Sequence, residues 1–187
     1  INIVIHDQYL FHENHLSNLA LDTGKEHNKL KKLSTSVFDK KRRAKNMNTT
    51  LNDILTRRSV RKYKSDMVSE ELIRQIVEAG SYAATGMGKQ SPIILAVTNQ
   101  EIRDQLSRIN GKIMGTDSDP FYGAPVVLVV LADKNRPTHV YDGSLVMGNL
   151  MLAAHALGLG SCWIHRAKET FETEEGKALL KQLGIEG

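Results

Sequence analysis

Three short stretches concentrate the residue types that do chemistry. The densest is Arg57-Arg58-Ser59-Val60-Arg61-Lys62-Tyr63-Lys64, with three guanidiniums and a hydroxyl within five residues. Guanidinium presents planar, paired donors that match phosphate oxygens. The same cations, placed after an expected helix, could instead only complement its negative end. The second stretch is Thr85-Gly86-Met87-Gly88-Lys89-Gln90-Ser91-Pro92. It is neither of the standard phosphate loops: Ala83 stands where a nucleotide P-loop needs Gly, and Gln90 follows the Lys in place of Ser or Thr. A dinucleotide fingerprint needs a strand before it and a helix after, the reverse of the order expected here. It reads as a helix-to-strand turn whose glycines let backbone approach a flat ligand closely. The third stretch is Gly158-Leu159-Gly160-Ser161-Cys162-Trp163-Ile164-His165-Arg166. Cys162 is either a nucleophile or a small buried hydrophobe, and His165 and Arg166 fall where a strand ends. No Ser-His-Asp order and no paired carboxylates stand out, so a cofactor is expected to supply the reactivity. His12-Glu13-Asn14-His15 lacks a third ligand and is not read as a metal site.

The elements that must position these stretches alternate between helix and strand. Thr50 caps a short helix carrying Leu51, Ile54 and Leu55, and Ser69 opens a second that stops near Gly80. Pro92 to Thr98 and Pro125 to Leu131 are continuous apolar runs of buried-strand length. Thr98-Asn99-Gln100-Glu101 is a capping-box pattern that predicts a helix to about Ile109, followed by a long loop from Asn110 to Gly123. The helix expected from Tyr141 to Leu157 is apolar nearly all round, with small residues Gly143, Ser144, Gly148, Ala153 and Ala154. It must be covered on several sides, as a core helix or at a subunit interface. A short strand from Ser161 to Ile164 and an amphipathic helix from Thr173 to Leu183 complete the pattern.

Composition sets the outer bounds. Of 187 residues, 41% are hydrophobic and 25% charged, enough for one domain with a real core. One Cys excludes an intrachain disulfide framework. No run reaches membrane-spanning length and no secretory leader is visible, so a cytoplasmic protein without a membrane partner is expected. The net charge of +4 is unevenly spread. Residues 1–46 carry nine Lys/Arg against five Asp/Glu, and the remainder balances at 16 of each. Residues 1–46 are therefore read as a separate basic extension, disordered or a boundary artefact, with Lys40-Lys41-Arg42-Arg43-Ala44-Lys45 as its densest run. The body begins at Met47. Its neutrality and few aromatic residues argue against nucleic acid as a partner.

Taken in order, these segments resemble the nitroreductase family. The resemblance covers almost all of 47–187. It rests on Arg57-Arg58-Ser59-Val60-Arg61, on Ala84-Thr85-Gly86-Met87 with Gln90-Ser91-Pro92, and on Ala124-Pro125-Val126-Val127. It rests also on the helix from Asp142-Gly143-Ser144 to Leu157 and on Leu159-Gly160-Ser161-Cys162-Trp163-Ile164. It implies an α+β fold, a mainly antiparallel sheet flanked by helices, in an intertwined homodimer with FMN at the interface. Arg57, Arg58, Ser59 and Arg61 match the motif that meets the FMN phosphate and the flavin's polar edge. Ala84, Thr85, Gly86, Met87 and Gln90 match the turn that reaches the partner subunit's FMN. Asn110 and Lys112 are candidates for the pyrimidine edge and ribityl chain, and Trp163, Ile164, His165 and Arg166 match the strand end beside the ring. No side chain is expected to be catalytic and no metal is implied.

The implied activity is an FMN-dependent oxidoreductase. Hydride passes from NADH or NADPH to a small-molecule acceptor, nitroaromatic or quinone-like, by a ping-pong mechanism. Two departures from the pattern are visible: Gly88 replaces the usual Asn, and relatives continue past the last helix with a strand that exchanges between subunits. The domain at 47–187 is thus expected to lack a C-terminal part. An inactive flavin-binding dimeric module and a nucleic-acid-binding protein are the alternative readings.

Overall fold

The continuous Val-rich run in the middle of the chain becomes a sheet strand buried on both faces, and the fold is laid down around it. The computed structural model describes residues 47–185 and, as backbone, the strand Asn2–Asp7. The chain divides into one unit made of Ile1–Gln8 with Arg57–Gly187 and another made of Tyr9–Thr56. In the second, the described part holds one helix, α1 (Thr49–Thr56), whose first amides are received by the Asn48 side chain.

The first unit orders its elements as β1 (Asn2–Asp7), α2 (Glu70–Ser81), β2 (Ile93–Val97), α3 (Gln100–Met114), β3 (Val126–Leu131), α4 (His139–Ala156), β4 (Leu159–Ile164), α5 (Ala167–Glu172) and α6 (Glu174–Gln182). The four strands form one sheet in the order β2-β3-β1-β4, with every neighbouring pair antiparallel. Along β3 the side chains alternate between two cores. Val126, Leu128 and Val130 face α2 and α4 through Ile73, Ile76, Val146, Met147 and Leu150. Val127 and Val129 face Leu106 of α3, Phe121, Cys162, Ile164 and Leu179 of α6. Burial on both faces explains why β3 reads as an unbroken apolar run instead of an alternating one. The arrangement is α+β, helices on both faces of a small antiparallel sheet.

Three expectations need correction. Asn2–Asp7 lies inside the sheet between β3 and β4, with Val4 opposite both Val127 and Cys162, so this part of residues 1–46 is integral to the body. The remainder of that stretch up to 46, including the His12–His15 pair and the basic run 40–45, lies outside the described residues. The helix after Asn99 runs on to Met114 and ends at a left-handed Gly115, so Asn110 and Lys112 are helical and the loop is shorter than expected. Gly111 permits this continuation, because its missing Cβ leaves room for the Thr116 carbonyl as the chain folds back. A short helix, α5, also precedes the last one. Its leading residue, Arg166, sits at φ +74 and offers no side-chain cap, so the usual signal for a helix start is absent.

The candidate flavin site

The arginine-rich stretch leaves the helical region as extended chain and lies along β4. Ser59 bridges Ser161 in parallel, and the Val60 amide donates to the Ser161 carbonyl at 3.0 Å. Two of the three sequence motifs are thereby brought side by side. Burial pushes the Cys162 thiol up from its ordinary pKa, while the charge of Arg61, the Ser59 hydroxyl and the charge of Arg57 pull the other way. The thiol is 1% exposed and stays protonated, which makes Cys162 a small buried hydrophobe and not a nucleophile. Tyr63 closes this corner by donating its hydroxyl to the Val60 carbonyl at 2.5 Å. Burial raises its phenol well above the ordinary value, Cys162 and Tyr122 adding to that and Arg61 opposing it.

Arg57 is the residue in this corner that the protein leaves incomplete. Its Nη1 is buried yet has no hydrogen-bond partner among the described residues, and the Ser161 hydroxyl on the adjoining strand is buried and unpaired as well. A desolvated guanidinium N–H without an acceptor is costly. An anionic oxygen is its complement, so the donor set fits the phosphate or polar edge of a flavin nucleotide. Arg58 and Arg61 are exposed beside it and add positive charge.

The far end of β4 is organised from within. Asn110 is fully buried, and its amide donates to the His165 carbonyl at 3.1 Å while its carbonyl accepts from Arg166 Nε at 3.1 Å. Asn110, His165 and Arg166 are therefore one cluster, with Asn110 as its buried tether. Trp163 is 36% exposed, whereas Ile164 points into the core. Lys112 lies apart from these residues on the surface, paired with Glu175 at 3.1 Å.

The Thr85–Gln90 turn is stiff. Gln90 donates from its backbone to the Thr85 hydroxyl and from its amide to the Ser81 carbonyl, and its side-chain oxygen accepts from Thr85. Met87 and Gln90 both lie at positive φ, 54° and 47°, and Met87 is 85% exposed. Gln90 thus spends its polar groups on the turn itself. What the turn presents outward is backbone and the side chains of Met87 and Lys89.

An ion pair between a buried arginine and a half-buried aspartate, which sequence reasoning missed, shapes the loop before β3. Arg103, 5% exposed, donates to the Ala124 carbonyl at 3.0 Å, pairs with Asp119 and lies over the Phe121 ring. Burial raises the Asp119 carboxyl, but Arg103, the Ser107 hydroxyl and the amides of Phe121 and Gly123 outweigh it, so the group sits below its ordinary value. The available signal was an arginine on the apolar face of an amphipathic helix, at a position where Leu or Ile is expected. Among the described residues, no group of three or more His, Cys, Asp or Glu is placed to hold a metal. None of their helices is long and apolar enough to cross a membrane.

Comparison with known proteins agrees with this architecture. The profile described as the Nitroreductase family matches residues 54–116 and 110–187. A nitroreductase from Bacteroides fragilis, solved with bound FMN, superposes with a TM-score of 0.69 at 30% identity, covering 75% of this chain and 82% of that one. An FMN-bound nitroreductase from Desulfitobacterium hafniense gives 0.68 at 28% identity with the same coverage. An NADPH-flavin oxidoreductase from Vibrio harveyi is 30% identical over 129 residues, 63% of this chain and 54% of that protein. The chain spans from 53% to 78% of the length of four curated relatives that it matches.

Proposed function

The chain belongs to the nitroreductase family, and we propose that it is an FMN-dependent oxidoreductase that takes hydride from NADH or NADPH and delivers it to nitroaromatic or quinone-like acceptors by ping-pong exchange. FMN, when bound, supplies a ring that accepts and releases hydride in alternation. This chain's own residues bind and orient. Arg57 offers a buried donor to an anionic oxygen, with Arg58, Ser59 and Arg61 around it. Positive charge there favours a reduced, anionic ring. The Ala84–Gln90 turn supplies backbone and Met87. The segment Trp163–Arg166 lies at a strand end that Asn110 fixes, and Lys112 stands on the surface of the same helix. A homodimer with the cofactor at the interface accords with the exposed Val140, Tyr141 and Leu145 on α4. A cytoplasmic location goes with this reading.

The observation that carries the proposal is the unpartnered, buried Nη1 of Arg57. Titration of the full chain with FMN, followed by flavin fluorescence, tests it. Saturable binding that Arg57→Met weakens about tenfold or more, the worth of one charge-assisted hydrogen bond, supports the reading. NADH or NADPH oxidation dependent on a quinone or nitroaromatic then supports the activity. A colourless protein indifferent to added FMN overturns both.

A further inference from the structure

The stiffness of the Thr85–Gln90 turn accounts for its internal shape but not for where it sits. That is settled by one long-range tie. The Gly86 amide donates to Oδ1 of Asp142 at 2.9 Å, across 56 residues of sequence. The other carboxylate oxygen accepts from the Thr138 hydroxyl at 2.8 Å, and the Asp142 amide returns to the Thr138 carbonyl at 2.9 Å. Asp142 is 3% exposed and lies in the first turn of α4, where a negative charge meets the helix's positive end. Thr138 occupies the N-cap position of α4 but spends its hydroxyl on this carboxylate instead of on a helix amide. Gly86 belongs to the same device, since a Cβ there would collide with the Thr138 hydroxyl.

From this geometry we infer that Asp142 is a positioning residue for the cofactor, fixing the Thr85–Gln90 turn against the start of α4 through Gly86, with Thr138 holding the carboxylate in place. The inference rests on reading that turn as cofactor-facing. Two adjacent features make the tie necessary. Met87 and Gln90 hold left-handed backbone that non-glycine residues adopt at a cost and only when the surroundings impose it. The turn also presents Met87, Lys89 and its backbone outward, so a small displacement moves every group that it offers.

Four forms of the full chain test this: wild type, Asp142→Ala, Asp142→Asn and Gly86→Ala. The measurements are FMN affinity by fluorescence titration, the visible circular dichroism of bound flavin, and the thermal midpoint without flavin. Loss of a hydrogen bond to a carboxylate predicts that Asp142→Ala weakens FMN binding about 10- to 100-fold and changes the bound-flavin dichroism. Asp142→Asn keeps an acceptor for Gly86 and a donor towards Thr138, and retains affinity within about threefold of wild type. Gly86→Ala behaves like Asp142→Ala, which keeps the test open should Asp142→Ala fold poorly. A wild type that binds FMN, with Asp142→Ala and Gly86→Ala matching it in affinity and dichroism, overturns the inference and leaves the flavin reading intact. So does a fall in thermal midpoint alone, or an Asn variant as impaired as the Ala one. A wild type that takes up no FMN overturns both.

Discussion

At the scale of single residues, the structure separates polar groups that are spent from those that are open. Asn110 and Gln90 are of types that suit a flavin's polar edge, yet both are consumed internally, Asn110 on the His165 carbonyl and Arg166, Gln90 on Thr85 and Ser81. Their residue type was legible in the sequence; the partners of Asn110 were not, because a hydrogen-bond partner 55 residues away is a property of the fold, whereas those of Gln90 lie within nine residues but depend on the conformation of the turn. Asp119 gives a pH-dependent prediction. Its carboxyl is held below the ordinary value in the folded chain. Its stabilising contribution is therefore complete above the unfolded value of about pH 3.9 and is lost as pH falls through the lower folded value. Asp119→Asn is expected to cost about 1.5–3 kcal/mol at pH 7, as for hydrogen bonds to a charged group. The gap from wild type should narrow only once the pH has fallen through that lowered folded value, where both side chains are neutral. Urea denaturation at pH 7 and at successively lower pH checks both the size and the sign.

Packing between elements carries its own predictions. Helices α2 and α4 cross where Gly80 meets Leu150, and Asn149 donates to the Ala79 carbonyl at 3.1 Å beside the crossing. A Cβ at Gly80 would overlap the Leu150 side chain. Gly80→Ala should thus destabilise by about 1–3 kcal/mol through overpacking, although alanine is the better helix former. A thermal melt reads which effect wins. In the sheet, Val4→Pro removes a ladder donor from a strand paired on both sides. A loss of about 1 kcal/mol or more follows, a midpoint lower by some 2–4 °C for a chain of this size. Strands β2 and β3 were readable from their uninterrupted apolar runs, and β4 in part, as the short strand from Ser161 to Ile164. Strand β1 was not, because it opens a basic stretch whose composition argues for solvent and because its two partners lie more than a hundred residues away. The end of α3 was hidden by Gly111, which looks like a terminator in sequence and serves in the structure as a point of close approach.

For the molecule as a whole, the alternation along β3 built two cores on one sheet, and the residues left over define its outer face. Val140, Tyr141 and Leu145 remain exposed on α4, a helix that sequence alone marked as needing cover on several sides. If a second copy supplies that cover, Leu145→Glu places a charge in the contact and shifts the sedimentation of the full chain from dimer towards monomer. FMN affinity should fall with it, since the proposed site lies at the interface. An unchanged sedimentation coefficient would count against this face. The fold also buries its one cysteine, Cys162, which is 1% exposed on β4. Thiol reagents should therefore find nothing to modify in the resting protein, and the rate at which a disulfide-exchange dye gains colour becomes a stopwatch for transient opening of that edge, with no engineered label needed.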